Sequence, residues 1–100
     1  MMKCIINGRI VLPDCVVSDY AIVFDEKIRA IVPTNEINTE DYELIDAKGN
    51  LVAPGLVDIH IHGYLGEDAS DGSETGLMIM AAGIAKNGVT SWCPTTMTIA

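Results

Sequence analysis

The chain has 100 residues, of which 49% are hydrophobic and 20% charged, as in a foldable globular domain rather than a disordered segment. Its 14 acidic and 6 basic residues give a net charge of -8, which argues against nucleic acid and anionic membranes as partners. The three cysteines have no CxxC spacing, which favours the reducing cytoplasm. The sequence has no signal-peptide core and no apolar run near the ~18 residues of a membrane span, so we expect a soluble protein.

The first half of the sequence consists of short apolar segments separated by turn signals. Residues 3–12 contain two such segments around Asn7 and Gly8, a pair suited to a two-residue hairpin because a type I′ turn needs two positive φ angles. Residues 20–24 and 28–32 flank an Asp-Glu-Lys turn and predict a second hairpin. We therefore expect an antiparallel sheet.

A boundary is expected where this pattern ends. Residues 44–53 predict one more strand, turn and strand, and Pro54 with Gly55 then interrupts the apolar pattern. We expect one domain of β-sandwich strands over residues 1–53 and the start of a second domain over residues 54–100.

The second half changes from strands alone to strands with a helix. It predicts a strand, a loop rich in glycine and aspartate, a helix and a second strand, over residues 56–61, 63–72, 74–86 and 89–93. This order predicts a βαβ unit with parallel strands and a right-handed crossover. The fold class is therefore α/β.

Two features of the predicted helix concern its start and its packing. Asp71 followed by Glu74 resembles a capping box at the N-terminus. Gly76 and Gly83 cost up to ~1 kcal/mol each relative to alanine in a helix interior, which favours tight packing against a sheet as their reason.

The only two histidines of the chain, His60 and His62, stand one residue apart at the end of the strand at 56–61. Because side chains alternate along a strand, both share one face with Asp58. Val57, Ile59 and Ile61 share the other face, which can pack under the helix. Imidazoles at i and i+2 lie close enough to bind one divalent metal ion. The end of a strand before a loop is also where α/β folds place active sites.

Other interpretations of these residues remain open. Hydrogen-bonded or surface histidines would give the same HxH pattern, and two ligands are too few for a catalytic metal site. Asp58 lies deeper in the strand and is expected to support the site rather than bind the metal. No phosphate-loop pattern or serine-type triad is present. Thr95 and Thr96 follow the second strand, where they could line an active-site wall.

Three stretches of the sequence resemble a known family. PGLVDIHIHG, residues 54–63, resembles the first, metal-binding barrel strand of the amidohydrolase superfamily. HIHGYLGEDASD and NGVTSWCPTTMT, residues 60–71 and 87–98, are similar to N-acetylglucosamine-6-phosphate deacetylases within it. NGRIVLPD and IDAKGNLVAPG also resemble the opening strands of that family, so the resemblance covers nearly the whole chain.

The resemblance implies an N-terminal segment, in which antiparallel β-sandwich strands precede the first βαβ unit of a (β/α)₈ (TIM-like) barrel that is truncated here. It implies hydrolysis of N-acetylglucosamine 6-phosphate to glucosamine 6-phosphate and acetate in the cytoplasm, by a homo-oligomer that is a dimer in the full-length family. His60 and His62 would bind a divalent metal, zinc or iron. The family's other ligands, catalytic aspartate and phosphate-binding groups match no residue here, so no catalytic residue is assigned and the chain alone is expected to be inactive.

Two rival functions stay open at this point. Another amidohydrolase, dihydroorotase-like or adenine-deaminase-like, would share the HxH strand, although the loop after His62 argues against it. A self-contained non-enzymatic module would instead bury its apolar faces by self-association. Because uncovered parallel strands present apolar faces and open edges, we expect an oligomer or a partly disordered second half.

Overall fold

The computed structural model describes residues 1–98. The chain divides into two compact units, Met1–Pro54 and Gly55–Ala100, and residues 99 and 100 of the expected second domain lie outside the described part. The fold is mixed α/β, mostly strands with one α-helix. Within residues 1–98 there is no helix with the length and apolar character needed to cross a membrane.

The first unit contains seven strands and two short 3₁₀ helices, the latter at Thr34–Glu36 and Thr39–Asp41. Its strands are β1 (Lys3–Ile6), β2 (Arg9–Val11), β3 (Val16–Val17), β4 (Tyr20–Phe24), β5 (Ile28–Pro33), β6 (Glu43–Asp46) and β7 (Leu51–Val52). They form a four-stranded sheet of order β5-β4-β1-β6 and a three-stranded sheet of order β3-β2-β7.

The hairpin expected at residues 20–32 is present. β4 and β5 pair antiparallel, with Ile22 opposite Ile31 and Phe24 opposite Ile28. Asp25 accepts hydrogen bonds from the Lys27 backbone N–H and the Arg29 side chain, so the polar turn residues satisfy each other. Local turn chemistry was therefore sufficient to predict this element.

The prediction of a hairpin at Asn7-Gly8 is wrong. β1 and β2 lie in different sheets, and Asn7 has a positive φ of 57° while Gly8 does not, so the pair cannot form a type I′ turn. Glycine is required at residue 8 for another reason, because a Cβ there would lie 2.6 Å from Val52 Cγ2. The chain passes from one sheet to the other at this point.

The expected antiparallel sheet is present only in part: β4 pairs antiparallel with β1 and β5, whereas two other pairings are parallel. β6 and β7 make the same passage as β1 and β2, so β1 pairs parallel with β6 and β2 pairs parallel with β7. The two passages are hydrogen-bonded to each other through main-chain contacts at Ala47 N to Ile6 O and Arg9 N to Asn50 O. Pairing between distant segments thus decided the strand direction.

The core of the first unit lies on the four-stranded sheet. Cys4 and Ala21 are fully buried and pack with Val23, and partly buried side chains surround them, namely Ile6, Ala30, Ile37 and Tyr42. The low dielectric around Cys4 raises the pKa of its thiol, because burial disfavours the thiolate.

The second unit contains two parallel strands, a small hairpin and a helix. Its elements are β8 (Leu56–Ile61), β9 (Gly63–Tyr64), β10 (Glu67–Asp68), a 3₁₀ helix (Ala69–Asp71), α1 (Glu74–Ala85) and β11 (Val89–Pro94). β8 and β11 pair in parallel, as the strand, helix and strand order predicts, with α1 between them in the sequence. The assignment of these elements to a barrel stays a prediction.

The residues expected to form a loop at 63–72 instead form the β9–β10 hairpin and the 3₁₀ helix. Leu65 and Gly66 connect the two strands, and both have positive φ angles, 53° and 79°. Two positive φ angles are typical of a type I′ turn, although a leucine is rarely found in that conformation. A leucine at the first position is therefore no local signal for this turn.

The helix begins two residues later than an N-cap at Asp71 would require. Ser73 is the N-cap, and its hydroxyl accepts a hydrogen bond of 3.0 Å from the Gly76 N–H, so the capping box predicted from Asp71 and Glu74 is wrong. Asp71 belongs to the preceding 3₁₀ helix. Gly83 packs tightly as expected, but against the β9–β10 hairpin, since a Cβ there would lie 2.5 Å from Leu65 Cδ1.

The apolar face of β8 is not covered in the described residues. Val57 is 64% exposed and Ile59 is 78% exposed, although both were expected to pack under the helix. α1 instead buries Met80 and Ile84 and contacts the β9–β10 hairpin and β11. β8 is therefore held mainly by its hydrogen bonds to β11.

Candidate metal centre

The two histidine side chains converge at the carboxyl end of β8. The Nε2 atoms of His60 and His62 lie 3.1 Å apart, and the rings meet edge to face with centroids 4.7 Å apart. His60 is exposed and His62 is half-buried. Strand alternation explains this arrangement, because residues i and i+2 project from the same face.

A hydrogen bond determines which nitrogen of His62 carries the proton. His62 Nδ1 lies 2.9 Å from the backbone carbonyl oxygen of Thr95. A carbonyl oxygen only accepts, so Nδ1 must donate, and in the neutral ring the lone pair is then on Nε2. The Nε2 lone pair is thereby directed toward His60.

This geometry fits a divalent metal ion bound by both rings. Zinc–imidazole bonds are about 2.0–2.1 Å long, so two nitrogens on one ion lie no more than ~4.2 Å apart. The observed Nε2 separation of 3.1 Å is within that limit. Metal-binding histidines also commonly donate their second ring N–H to a carbonyl or carboxylate, as His62 does to Thr95.

Asp58 lies beside the pair and contacts the backbone of one member. Its Oδ1 accepts a hydrogen bond of 3.0 Å from the backbone N–H of His60. This contact fixes the carboxylate against the strand, which agrees with a supporting role. A hydrogen-bonded carboxylate at this position helps to orient the backbone that carries the imidazole.

His60 and His62 are joined by no third candidate metal ligand among the described residues. Among residues 1–98 there is no cluster of three or more His, Cys, Asp or Glu side chains arranged to hold a metal ion. Thr95 contributes its main chain, whereas its hydroxyl donates to the Cys93 carbonyl. Thr96 is exposed.

The carbonyl of Thr95 is the functional group that sequence reasoning missed. Thr95 follows directly on β11, and its N–H donates a hydrogen bond of 2.8 Å to the Ile61 carbonyl. The carboxyl ends of β8 and β11 therefore meet, as parallel pairing requires. The order of strand, helix and strand could have placed Thr95 near His62, but a main-chain contact leaves no side-chain signal.

This chain is similar to known enzymes of one class. A solved amidohydrolase matches 62% of this chain and 16% of its own, with a TM-score of 0.54 and 28% identity. The dihydroorotase of Staphylococcus epidermidis is 39% identical over 94 residues, which are 93% of this chain and 21% of that protein. No protein-family model matches the chain. These relatives support the assignment of the chain to the amidohydrolase family.

One solved structure of a particular amidohydrolase matches this chain from end to end. The crystal structure of N-acetylglucosamine-6-phosphate deacetylase from Pasteurella multocida covers 100% of this chain and 27% of its own, with a TM-score of 0.90 and 32% identity. The deacetylase of Lysinibacillus sphaericus is 36% identical over 74 residues, 74% of this chain and 19% of that protein. The resemblance to N-acetylglucosamine-6-phosphate deacetylases is confirmed. The chain spans about a fifth of the length of these dihydroorotase and deacetylase relatives.

Proposed function

We propose that this chain is the N-terminal part of a metal-dependent amidohydrolase that deacetylates N-acetylglucosamine 6-phosphate, giving glucosamine 6-phosphate and acetate. The observation that carries the proposal is the convergence of the His60 and His62 Nε2 atoms at 3.1 Å, in a fold with a TM-score of 0.90 to a deacetylase. The substrate would be a small phosphorylated amino sugar. The whole enzyme would be a homo-oligomer of the cytoplasm.

In this proposal the second unit begins a (β/α)₈ barrel, with β8 and β11 as its first two strands and α1 as the helix between them. The parallel pairing of β8 with β11 supports it, since barrel strands are parallel and joined through helices. Active sites of such barrels lie at the carboxyl ends of the strands. His60 and His62 are at that end of β8.

The residues of this chain would prepare the metal site. A bound divalent ion polarises an amide carbonyl and lowers the pKa of water, which is the chemistry that amide hydrolysis needs. His60 and His62 would bind the ion through Nε2, while the Thr95 carbonyl keeps the His62 proton on Nδ1. Asp58 would hold the backbone of His60 in place. Zinc and iron are the candidate ions, since imidazole suits both.

Zinc titration of the purified chain tests the metal site. The measurement uses a Cys15→Ser, Cys93→Ser background, because these two exposed thiols could bind zinc themselves. We expect His60→Asn and His62→Asn each to weaken zinc binding at least ~10-fold. Glu74→Gln, an exposed residue of α1, is the control and should leave the affinity unchanged. Equal affinity in all four proteins would contradict the proposed site.

Dihydroorotase is a second candidate, and a specific observation favours it. The Staphylococcus epidermidis protein is more similar in sequence, at 39% identity over 94 residues, than the deacetylase is at 36% over 74. The deacetylase proposal is preferred because its structural match extends over the whole chain, including the β9–β10 hairpin after His62. The HxH strand does not discriminate between the two.

Chimeric enzymes test the choice of substrate. Residues 1–98 would replace the matching segment of the Pasteurella multocida deacetylase, and in a second protein that of the Staphylococcus epidermidis dihydroorotase. We expect hydrolysis of N-acetylglucosamine 6-phosphate by the first chimera and little turnover of dihydroorotate by the second. The opposite result would favour dihydroorotase. Turnover of N-acetylglucosamine 6-phosphate by the isolated chain would contradict its expected inactivity.

A further inference from the structure

The 3₁₀ helix at Ala69–Asp71 forms hydrogen bonds to two segments of the candidate metal centre, the end of β8 and the residues after β11. The Ala69 N–H donates a hydrogen bond of 2.8 Å to the backbone carbonyl of His62. The hydroxyl of the next residue, Ser70, accepts a hydrogen bond of 2.8 Å from the Met97 N–H. Two consecutive residues thus join the end of β8 to the segment that follows β11.

The position of Ser70 is itself fixed by a neighbouring side chain. Asp68 is the N-cap of the 3₁₀ helix, and its Oδ1 accepts a hydrogen bond of 2.8 Å from the Ser70 N–H. Ala69 is buried, with 7% of its surface exposed. The backbone that carries the Ser70 hydroxyl is therefore held in place.

The segment that Ser70 holds contains the hydrogen-bond acceptor of His62. Thr95 is two residues before Met97, and its carbonyl accepts the His62 Nδ1 proton at 2.9 Å. Upstream, this segment is held by the bond from Thr95 N–H to the Ile61 carbonyl. The bond from Met97 N–H to Ser70 is its downstream attachment.

We propose that Ser70 is a positioning residue for His62: by accepting the Met97 N–H, it holds the Thr95 carbonyl where that carbonyl keeps the proton of His62 on Nδ1 and leaves Nε2 free to bind a metal. The proposal rests on the proposed function, because it assigns to Ser70 the orientation of a metal ligand. Partners that orient a metal-binding histidine affect metal affinity although they do not touch the metal.

Two pairs of variants test this role in the full 100-residue chain. Ser70→Ala removes the acceptor, whereas Ser70→Thr keeps a hydroxyl. Met97→Pro removes the donor N–H, whereas Met97→Ala keeps it; the Met97 side chain is 56% exposed, so its loss alone should matter little. The Met97 pair leaves the 3₁₀ helix untouched, and it therefore carries the test if Ser70→Ala does not fold.

The primary measurement is the tautomer of His62 in the metal-free protein, from two-bond ¹H–¹⁵N spectra of the imidazole ring. The His62 signals are assigned by their absence in His62→Asn. We expect the Nδ1–H form in the wild type, Ser70→Thr and Met97→Ala, and a larger fraction of the Nε2–H form in Ser70→Ala and Met97→Pro. In the Cys15→Ser, Cys93→Ser background, the same two variants should bind zinc ~10-fold more weakly.

The inference and the proposed function fail in different ways. An unchanged His62 tautomer in the folded Ser70→Ala and Met97→Pro proteins would overturn the role of Ser70. Zinc affinity that is insensitive to His60→Asn and His62→Asn would instead overturn the metal site. Because the tautomer is measured without metal, the first result does not depend on the second.

Discussion

The two units differ in how they hold their strands. In the first unit, β1 and β4 each have two neighbours, and the side chains of Cys4, Ala21 and Val23 form a common core. In the second unit, β8 has β11 as its one paired strand among the described residues, and no residue of β8 is fully buried. Buried apolar surface lies instead beneath α1, at Met80 and Ile84.

Because of this difference, the residues that stabilise the fold are not the residues that position the candidate site. The histidines lie at the end of a strand that contributes little to a core, and their positions depend on hydrogen bonds with Thr95, Ala69 and Asp58. Substitutions in the core should therefore change the free energy of unfolding, whereas substitutions in the hydrogen bonds should change metal binding. Variants that change one of these two properties and not the other test this separation.

The largest expected effect comes from Met80→Ala. Met80 is fully buried in α1, so truncation should lower the free energy of unfolding of the second unit by about 2–5 kcal/mol. The fluorescence of Trp92, the only tryptophan, follows that unit during urea unfolding. Met78→Ala, a change at a 68% exposed position of the same helix, is the control and should cost far less.

The reactivity of Cys4 measures the first unit in the same proteins. Its burial and its raised pKa both slow reaction with a thiol reagent, so labelling reports opening of the core around it. We expect Met80→Ala to leave the labelling rate of Cys4 unchanged. A large acceleration would show that the stability of the first unit depends on the core beneath α1.

A smaller effect is expected from Gly83→Ala. Alanine favours a helix by up to ~1 kcal/mol, but the new Cβ would lie 2.5 Å from Leu65 Cδ1 and 2.9 Å from Tyr64 Cε2. Leu65 is exposed and can move, whereas the Tyr64 hydroxyl is bound to Asn87 at 2.9 Å. We therefore expect a net loss of about 1 kcal/mol, at the low end of the range for overpacking.

Releasing the tyrosine sharpens that prediction. Asn87→Ala removes the hydrogen bond to the Tyr64 hydroxyl and should allow the ring to shift away from the added methyl group. Trp92-monitored unfolding of the double variant should then show less destabilisation than the sum of the two single variants. Strict additivity would indicate that the ring does not restrain the helix.

The smallest effect concerns acid stability in the first unit. The Lys48 backbone N–H, and then the Asn7 side chain, hold the pKa of Asp46 below its ordinary value. The contribution of Asp46 is therefore present above that ordinary value and lost as pH falls through the lowered one. Asp46→Asn should flatten the loss of stability between about pH 5 and pH 2, as measured by urea midpoints.

A matched surface carboxylate provides the control for this measurement. Asp14→Asn changes an exposed residue of the same unit and should leave the acid dependence as in the wild type. An equal flattening by both variants would mean that net charge, rather than the contacts of Asp46, determines the acid response.

Several elements followed from the sequence because their causes are local. The β4–β5 hairpin is specified by its polar turn, where Asp25 bonds to Lys27 and Arg29. The helix predicted over residues 74–86 is present at Glu74–Ala85. The common orientation of His60 and His62 follows from strand alternation alone, and their Nε2 atoms do meet.

Only the tertiary structure decided the rest, because those features depend on contacts between distant residues. Asn7-Gly8 carries the sequence signal of a hairpin but serves a passage between sheets, where Val52 packs against Gly8. Leu65-Gly66 carries no such signal and adopts the two positive φ angles, with the hairpin packed on Gly83. Likewise, the His62 proton is fixed by a main-chain carbonyl 33 residues away, which parallel pairing brings to the same strand ends.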